Sequence, residues 1–280
     1  MQTGGHSENR FMSLFCVLYY ILYRGYRLRI PSAACCALVA HNDWITSSTY
    51  NRSKKAVFRM PSGLQLCKIM RMRKKPNLNA RLEKCAHLIV GEPAPLRGRW
   101  LDEFGYGELH IELGCGKGLF TVETAKNDAG VFIAALEKSA DAMVIALERA
   151  AAANLRNARF VNGLAEHLAD YFADGEASRI YINFCDPWPS NRHAKRRLTN
   201  RRFLEVYERL LRPGGELHFK TDNAPLFDYS LREFDGFGFE PAELTRNLHE
   251  NGAVGQMTDY ENKFYIQNLP ICRCVMRKCL

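Results

Sequence analysis

The sequence predicts an α/β fold, in which helices cover a doubly wound and mostly parallel sheet. Three observations support this prediction: apolar strands alternate with helical segments from residue 105 onward, a glycine-rich loop follows the first strand, and each strand ends on a polar residue. Strands that alternate with helices form parallel sheets buried on both faces. Ligands in such sheets bind at the carboxyl ends of the strands, so we expect the functional site at that edge.

The individual elements follow from local composition. Short apolar runs bounded by turn residues predict buried strands, and longer segments with helical spacing predict helices. The predicted strands span residues 108–114, 131–137, 158–163, 180–186 and 216–222. The predicted helices span residues 119–126, 140–154, 200–211 and 225–234. The sequence Arg212-Pro213-Gly214-Gly215 is expected to stop the third helix.

The five predicted strands end on polar residues, namely Glu112, Glu137, Asn162, Asp186 and Asp222. One polar residue at a strand end is ordinary, because chains turn polar where they leave the core. All five converge on one crevice if the sheet is parallel. The sequence therefore predicts a polar ligand site, rich in carboxylates, along one edge of the sheet.

The loop Gly114-Cys115-Gly116-Lys117-Gly118 indicates a nucleotide-type cofactor. Glycines let a backbone turn tightly against a ligand, and on their own they fit NAD, FAD or S-adenosylmethionine. Two features favour S-adenosylmethionine: the last glycine follows the second by two residues rather than three, and Glu112 would repel a pyrophosphate but attract a methionine ammonium. Glu137 is placed to bind ribose hydroxyls, and Asn162 to pair with adenine.

Composition and charge exclude several classes of protein. Of the 280 residues, 47% are hydrophobic and 25% are charged, which is typical of a globular protein. No apolar run reaches eighteen residues, which argues against a membrane span. The formal net charge is +9, but residues 1–69 hold nine Lys/Arg and two Asp/Glu, so the rest of the chain is nearly neutral. The ten cysteines lack the pairing of a zinc site, and we expect reduced thiols in a cytoplasmic protein without a metal.

The first 69 residues differ in character from the rest. The apolar run at residues 11–23 has the length of a signal-peptide core, but basic residues follow it and no clear cleavage site is present. At Met70 the sequence changes to MRMRKKPNLNARLEK. We expect residues 1–69 to be an N-terminal extension that is disordered or reflects a misplaced start. Residues 70–104 are then a basic arm, and residues 105–280 the α/β domain.

The segment NFCDPWPSNRHAKRRL (183–198) places a carboxylate and an indole beside concentrated positive charge. Six Lys or Arg occur between Arg192 and Arg202, with no acidic residue among them. Such a run is suited to phosphates, since each phosphate that is neutralised releases counterions. Trp188 is expected either to stack on an exposed base or to fill an apolar gap beneath the loop.

Together, the motifs IELGCGKG, LEKS, NFCDPWPSNRHAKRRL, HFKTDN and MTDYENKF resemble those of the bacterial tRNA (guanine-N7-)-methyltransferase family of the TrmB type. The resemblance covers about residues 70–275. It implies a class I S-adenosylmethionine-dependent methyltransferase fold for residues 105–280. That fold is Rossmann-like, with a seven-stranded sheet whose last strand is antiparallel, and Ile271–Met276 would supply a late strand.

The resemblance also implies an activity and its partners. The reaction would be methyl transfer from S-adenosylmethionine to N7 of a guanosine in the variable loop of tRNA, at position 46. The protein would bind tRNA as a cytoplasmic monomer or homodimer, with no membrane or metal.

The matching motifs imply roles for individual residues. Asp186 would be the catalytic position, and the cofactor would be bound by Glu112, Gly114, Gly116, Glu137, Asn162 and Asp186. Substrate would be bound by Ser190, Asp222, Thr258, Asp259, Tyr260 and Glu261. RNA would be contacted by Arg192, His193, Lys195, Arg196 and Arg197. The family commonly has Lys where this chain has Ser190, so the role of that position stays open and Arg192 is a candidate replacement.

Guanine N7 presents an in-plane lone pair and carries no proton, so its methylation needs no general base. The protein must supply alignment, exclusion of water and negative potential near the developing cation, and Asp186 suits that role. Three other interpretations stay open: a non-catalytic RNA-binding module on this scaffold, an NAD-dependent oxidoreductase, and a methyltransferase that acts on another RNA or base nitrogen.

Overall fold

A computed structural model describes residues 74–279 of the chain. The expected extension at residues 1–69 lies outside the described residues, as does the start of the basic arm at residues 70–73. The division of the chain into extension, arm and domain therefore stays a prediction.

The strands form one mixed sheet. They are β1 (Glu108–Leu113), β2 (Val131–Leu136), β3 (Ala158–Val161), β4 (Ala177–Asn183), β5 (Leu211–Thr221), β6 (Phe239–Thr245) and β7 (Cys272–Lys278). Their order in the sheet is β3-β2-β1-β4-β5-β7-β6. The first five run parallel, and β7 lies antiparallel between β5 and β6. This arrangement confirms the predicted fold, including the antiparallel last strand and the late strand at Ile271–Met276.

The helices are α1 (Leu78–Lys84), α2 (Trp100–Phe104), α3 (Leu119–Asn127), α4 (Ala140–Ala152), α5 (Leu168–Tyr171), α6 (Arg201–Leu210), α7 (Ala224–Phe234) and α8 (Asp259–Ile266). Four of them, α3, α4, α6 and α7, lie where the sequence predicts helices. The N-termini of α6, α7 and α8 are capped by side chains of Asn200, Asn223 and Thr258, which accept hydrogen bonds from backbone N–H groups of the first turn.

The end of β4 differs from the prediction in a way that matters for the site. The strand ends at Asn183, three residues before Asp186. It ends there because Phe184 adopts a positive φ of 54°, which interrupts the extended conformation. Asp186 therefore lies in a loop rather than at the tip of the strand.

Three further differences concern the second half of the sheet. β5 begins at Leu211, so the stretch Pro213–Gly215 lies within an irregular strand whose register against β4 shifts, rather than in a loop that only stops a helix. Neither β6 nor α8 was predicted. β6 is an edge strand that carries Pro241 between the exposed residues Glu240 and Glu243.

The central strands β1, β4 and β5 have two faces of different character. The apolar face packs against α6 and α7 in the main core and consists of Leu109, Ile111, Ile180, Ile182, Leu217 and Phe219. The polar face takes three residues from each strand, aligned by the register: Glu108, His110, Glu112, Arg179, Tyr181, Asn183, Glu216, His218 and Lys220. Helices α3 and α8 cover it. The ring centroid of Phe120 on α3 lies 5.0 Å from that of Tyr181, and Glu261 on α8 accepts a hydrogen bond from Lys220.

Candidate active site

A cavity of about 400 Å³ opens at the carboxyl ends of the strands, where the parallel topology places ligand sites. The ends of β1, β2 and β4, the turn after β3 and the loop after β4 form its walls. Its lining includes Leu113, Gly114, Glu137, Lys138, Gly163, Asn183, Asp186, Trp188 and Arg196.

The glycine loop turns through left-handed conformations, with φ of 74° at Gly114, 58° at Gly116 and 74° at Gly118. Glycine adopts this conformation without the steric cost that a β-carbon brings. A β-carbon at Gly114 or Gly116 would meet no atom within 4 Å, so these two residues border space where a ligand can approach the backbone. A β-carbon at Gly118 would lie 2.4 Å from Cβ of Ala146, so this glycine allows the loop to pack on α4.

Glu112, the second-last residue of β1, is buried beside this loop. Its carboxylate accepts hydrogen bonds from the hydroxyl of Thr121 and, at 3.2 Å, from the side-chain amide of Asn183. Burial raises the pKa of Glu112 to about 7, and the hydrogen bonds and the charge of Lys220 oppose this rise only in part. A ligand cation against Glu112 would favour its ionised form.

Asn183, the last residue of β4, is a site residue that the sequence prediction missed. Its side chain lines the cavity and the residue is only 7% exposed. Nδ2 donates to Glu112, whereas Oδ1 is buried and has no hydrogen-bond partner among the described residues. A buried oxygen without a donor is costly, so a ligand N–H at this position would be stabilising. The sequence signal that could have identified Asn183 is its position as the polar last residue of the apolar run IYIN.

Glu137 and Asn162 come directly after β2 and β3, rather than within the strands as the sequence predicts. The carboxylate of Glu137 lines the cavity and accepts hydrogen bonds from the backbone N–H groups of Gly116 at 2.9 Å and Ser139 at 2.8 Å. The side-chain amide of Asn162 donates to the backbone carbonyl of Glu137 at 2.8 Å, and the adjacent Gly163 forms the cavity wall. The structure thus brings Glu137 to the glycine loop, and Asn162 contacts the backbone of Glu137 without lining the cavity itself.

Asp186 lies at the rim of the cavity, in the loop after β4. Its side chain is 66% exposed, and Oδ2 lies 3.4 Å from Nζ of Lys138. The bulky residues on either side, Phe184 and Trp188, have left-handed φ values of 54° and 42°. The loop therefore presents the carboxylate at the opening in a backbone conformation that bulky residues rarely adopt.

The basic run forms a 3₁₀ helix at Asn191–Arg196, directly after Ser190. Ser190 is exposed, and its carbonyl accepts the backbone N–H of His193 at 2.9 Å. The ring of His193 meets that of Trp188 edge-on, at 5.8 Å between centroids. The exposed basic side chains of the run are Arg192, Lys195 and Arg196.

Arg197 occupies a different position from these neighbours. It is 7% exposed, and its guanidinium donates to the backbone carbonyls of Pro187 and Trp188. It also lies 4.2 Å from the ring centroid of Tyr229. The structure does not support the predicted RNA contact of Arg197, because the side chain turns towards the interior while Arg196 beside it faces solvent.

Asp222 and Tyr260, two of the predicted substrate-binding residues, contact each other, and their role in substrate binding stays a prediction. Asp222 is exposed after β5, and the hydroxyl of Tyr260 donates to its Oδ2 at 3.3 Å. The ring of Tyr260 lies 5.1 Å from that of Phe184. This contact places the first turn of α8 next to the loop that carries Asp186.

Asp259 is held by an arginine that also contacts the glycine loop. Its carboxylate accepts hydrogen bonds at 2.5 and 2.9 Å from the guanidinium of Arg149 on α4. The same guanidinium donates to the backbone carbonyl of Lys117 at 3.0 Å. A single side chain thus joins α8 to the loop expected to bind the cofactor.

Thr258 and Glu261 cap the same helix. Thr258 accepts the backbone N–H of Glu261 at 2.9 Å, and the carboxylate of Glu261 accepts the backbone N–H of Thr258 at 3.2 Å. Glu261 is fully buried and also accepts from Nζ of Lys220 at 3.0 Å and interacts with Nε2 of His249 at 3.0 Å. The predicted substrate contact of Glu261 is therefore not seen, since its carboxylate lies inside the protein and fixes α8 to the sheet.

Residues 74–279 hold neither the side-chain cluster of a metal site nor a helix suited to cross a membrane. No group of three or more His, Cys, Asp or Glu side chains in this range could hold a metal ion. The helices of the range also lack the combined length and apolar character that crossing a membrane requires. Its cysteines are free thiols.

Comparisons with known proteins indicate the family of this chain. The protein family described as "Putative methyltransferase" matches residues 107–274. A curated protein of Geobacillus kaustophilus (strain HTA426), named tRNA (guanine-N(7)-)-methyltransferase, is 42% identical over 207 residues, which is 73% of this chain and 95% of that protein. A protein of the same name from Lactococcus lactis subsp. cremoris (strain MG1363) is 42% identical over 201 residues, 70% of this chain and 92% of its own length.

Solved structures show the same fold at low sequence identity. The crystal structure of the 16S rRNA methyltransferase KamB matches with a TM-score of 0.52 and 13% identity, over 64% of this chain and 93% of that one. At this identity the likeness concerns the fold alone. The family match, the identity to curated relatives across almost their whole length and the fold all agree. This chain therefore belongs to the bacterial tRNA (guanine-N7-)-methyltransferase family of the TrmB type, within the class I S-adenosylmethionine-dependent methyltransferases.

Proposed function

We propose that this chain transfers a methyl group from S-adenosylmethionine to N7 of a guanosine at position 46, in the variable loop of tRNA. The observation that carries the proposal is the shared cavity, which brings the glycine loop, Asn183 beside the buried Glu112, and Asp186 together next to exposed basic residues. The names of the relatives support this reaction, and family membership argues against an NAD-dependent oxidoreductase. Cytoplasmic location and a monomer or homodimer stay predictions.

S-adenosylmethionine is the methyl donor of this family, and the residues present fit it. Its α-ammonium suits the buried carboxylate of Glu112 and the unpartnered Oδ1 of Asn183. Its ribose hydroxyls suit the carboxylate of Glu137 at the end of β2, and open space borders the backbone of Gly114 and Gly116. When bound, the donor supplies a methyl group on a sulfonium, ready for in-line displacement.

We assign Asp186 to the base rather than to the inner part of the donor pocket. Its carboxylate is exposed at the rim, where a guanine entering the cavity would meet it. There it can accept hydrogen bonds from the N–H groups of the guanine edge or stabilise the positive charge that develops on the ring. Because guanine N7 carries no proton, no residue is needed to remove one.

The tRNA is proposed to bind beside this rim. Arg192, Lys195 and Arg196 are exposed and lie in one short helix, so this segment offers a local concentration of positive charge to RNA phosphates. His193 and Ser190 lie in the same segment, and Asp222 and Tyr260 form the neighbouring wall. Three phosphate contacts predict a slope near −2 to −3 for log affinity against log salt, at roughly −0.7 to −0.9 per contact.

The direct test is methylation of a tRNA transcript with labelled S-adenosylmethionine, followed by nucleoside analysis. We expect 7-methylguanosine, and no product from a matched transcript that has adenosine at position 46. Another methylated nucleoside, or equal methylation of the adenosine transcript, would overturn the proposal. An absence of any methylation would favour the non-catalytic RNA-binding interpretation.

The residue assignment is tested by Asp186→Ala. Loss of one electrostatic contact to the transition state typically lowers the rate by about 10²–10³, whereas donor affinity is expected to stay within an order of magnitude. Asp174→Ala is a matched control, because Asp174 is 56% exposed and lies before β4, at the opposite edge of the sheet. Wild-type turnover in Asp186→Ala would refute the assignment.

A further inference from the structure

The loop that carries Asp186 has an unusual backbone. We define the Asp186 loop as residues 184–189. Its two aromatic members, Phe184 and Trp188, both have left-handed φ values, 54° and 42°. Bulky residues rarely adopt such conformations, and where they occur the surrounding contacts must hold them in place.

The contacts that hold this loop come from two sides. At its start, the backbone N–H of Phe184 donates to the carbonyl of Lys220 on β5 at 2.9 Å. At its end, Arg197 donates hydrogen bonds to two consecutive backbone carbonyls. Nε donates to the carbonyl of Pro187 at 3.1 Å, and Nη2 donates to the carbonyl of Trp188 at 2.9 Å. Arg197 thus holds the backbone carbonyls of the two residues that follow Asp186.

Arg197 is itself held in place by its surroundings. It is 7% exposed, and its guanidinium lies 4.2 Å from the ring centroid of Tyr229 on α7. The hydroxyl of Tyr229 accepts a hydrogen bond at 2.7 Å from the side-chain amide of Asn200, the residue that caps α6. The loop is therefore anchored, through one arginine, to α6 and α7, which pack in the main core.

Arg196, the preceding residue, has the opposite environment. It is exposed and lines the cavity, and its guanidinium lies 4.9 Å from the ring centroid of Trp188. Two adjacent arginines therefore meet Trp188 in different ways: Arg196 at the ring and Arg197 at the backbone carbonyl.

We propose that Arg197 is a positioning residue of the methyl-transfer reaction, which acts by fixing the Asp186 loop and does not contact RNA. This inference rests on the proposed function insofar as its kinetic test measures methyl transfer. The two hydrogen bonds to neighbouring carbonyls require arginine, since a guanidinium offers several donors in one plane whereas an ammonium is a compact point charge. Lysine at this position keeps the charge but cannot hold two carbonyls in the same geometry.

The test compares Arg197→Lys with Arg196→Gln. For Arg197→Lys we expect kcat to fall about 10- to 100-fold, because a displacement near 1 Å at a reacting centre has effects of that size. Its tRNA Kd and the salt slope of binding are expected to stay within about twofold of wild type. For Arg196→Gln we expect weaker tRNA binding and a salt slope reduced by about 0.7–0.9.

A loop measurement separates this inference from the proposed function. Acrylamide quenching of Trp188, taken as the difference between each protein and its Trp188→Phe counterpart, reports loop order without any methyl transfer. We expect stronger quenching in Arg197→Lys, and this holds even if the RNA product is not 7-methylguanosine. Absence of 7-methylguanosine from wild type would refute the proposed function alone.

Two results would overturn the inference. One is wild-type kcat and wild-type quenching in Arg197→Lys, and the other is a loss of salt slope in Arg197→Lys like that of Arg196→Gln. Should Arg197→Lys fail to fold, Tyr229→Leu removes only the ring beneath the guanidinium, and we expect a smaller loss of kcat in the same direction. An unchanged kcat in Tyr229→Leu would then count against the inference.

Discussion

The apolar and polar faces of β1, β4 and β5 consist of alternate residues of the same three strands. On the apolar face, side chains such as Ile182 and Phe219 are fully buried against α6 and α7, and each contributes roughly 1.5–3 kcal/mol by leaving water. Most of the polar face is also buried, but it is held by specific hydrogen bonds. Apolar burial is not directional, so the apolar face stabilises the sheet with any apolar neighbour. Hydrogen bonds are directional, so a ligand with matching groups can supply those that the polar face lacks.

Hydrogen bonding on the polar face changes along the strands. At the middle of the strands the hydroxyl of Tyr181 lies 3.2 Å from Nδ1 of His110, and burial lowers the pKa of His110 to about 4, so it is neutral at pH 7. Near the carboxyl ends, Lys220 pairs with Glu261, while Oδ1 of Asn183 has no partner among the described residues. Nε2 of His110 is also buried without a hydrogen-bond partner among the described residues, but of these two residues only Asn183 lines the cavity. We call Oδ1 of Asn183 the unfilled position.

The largest effect is expected from breaking the polar face at Lys220. Lys220→Met leaves the buried carboxylate of Glu261 without its ammonium, and removal of one partner of a buried pair typically costs about 3–5 kcal/mol of unfolding free energy. Urea denaturation measures this loss. The double variant with Glu261→Gln should recover most of it, and a single-variant cost below about 1 kcal/mol would show that the pair is not structural.

The polar face should also respond to pH, which the apolar face cannot do. The folded pKa of Glu112 is raised from 4.5 to about 7, so the folded protein holds an extra proton between these values. The stability of the free protein therefore falls as pH rises through that window. Because we propose that the ionised carboxylate pairs with the donor ammonium, we expect donor affinity to fall about tenfold per pH unit below about 7.

Calorimetric titration of the donor between pH 5 and 9 checks this prediction. Affinity should also decline above about 8, where an α-amino group loses its proton. The control is Glu112→Gln, which should bind more weakly and lose the dependence below pH 7. A wild-type affinity that is constant from pH 5 to 7 would contradict the assigned role of Glu112.

A smaller effect is expected at the unfilled position itself. Asn183→Leu removes Oδ1 and the amide that supports Glu112, so affinity for S-adenosylmethionine should fall about tenfold, equivalent to about 1.4 kcal/mol. The matched ligand is 5′-methylthioadenosine, which lacks the amino-acid portion and should bind both proteins within about twofold. Equal losses for the two ligands would show that Asn183 does not act on the ammonium.

The smallest effect is expected one residue earlier, on the apolar face. Ile182→Val removes one methylene from a fully buried side chain, and such changes cost about 0.5–1.5 kcal/mol of stability. Donor affinity should be unchanged, because this side chain points away from the polar face. A change in donor affinity as large as that of Asn183→Leu would break the distinction between the faces.

Much of the sheet could be predicted from the sequence, because buried strands and the glycine loop have strong local signals. The position of Asp186 beyond the strand end could not, since it depends on the left-handed φ of Phe184, which no residue preference indicates. The sequence itself shows polar residues at alternate positions of β1, namely Glu108, His110 and Glu112. That these residues continue across β4 and β5 as one face is set by register, which only the folded sheet reveals.

The roles of the basic and acidic motifs were harder to assign residue by residue. Arg196 and Arg197 are adjacent arginines in one basic run, so the sequence does not distinguish them. Their environments differ because Tyr229, which is distant in sequence, packs against Arg197 alone of the two. Likewise, Glu261 belongs to a motif associated with substrate, yet Lys220 and His249 enclose it. In both cases the deciding partner comes from another element, so no local pattern could identify it.

The edge strand β6 has a consequence for self-association. A strand with an open side is a template for a strand of a second molecule, and proteins commonly prevent this with proline and exposed charges. Pro241 lacks a donor N–H, and Glu240 and Glu243 beside it are exposed. Copies of this chain are therefore not expected to join their sheets into one continuous sheet at this edge, and any dimer should form through a different surface.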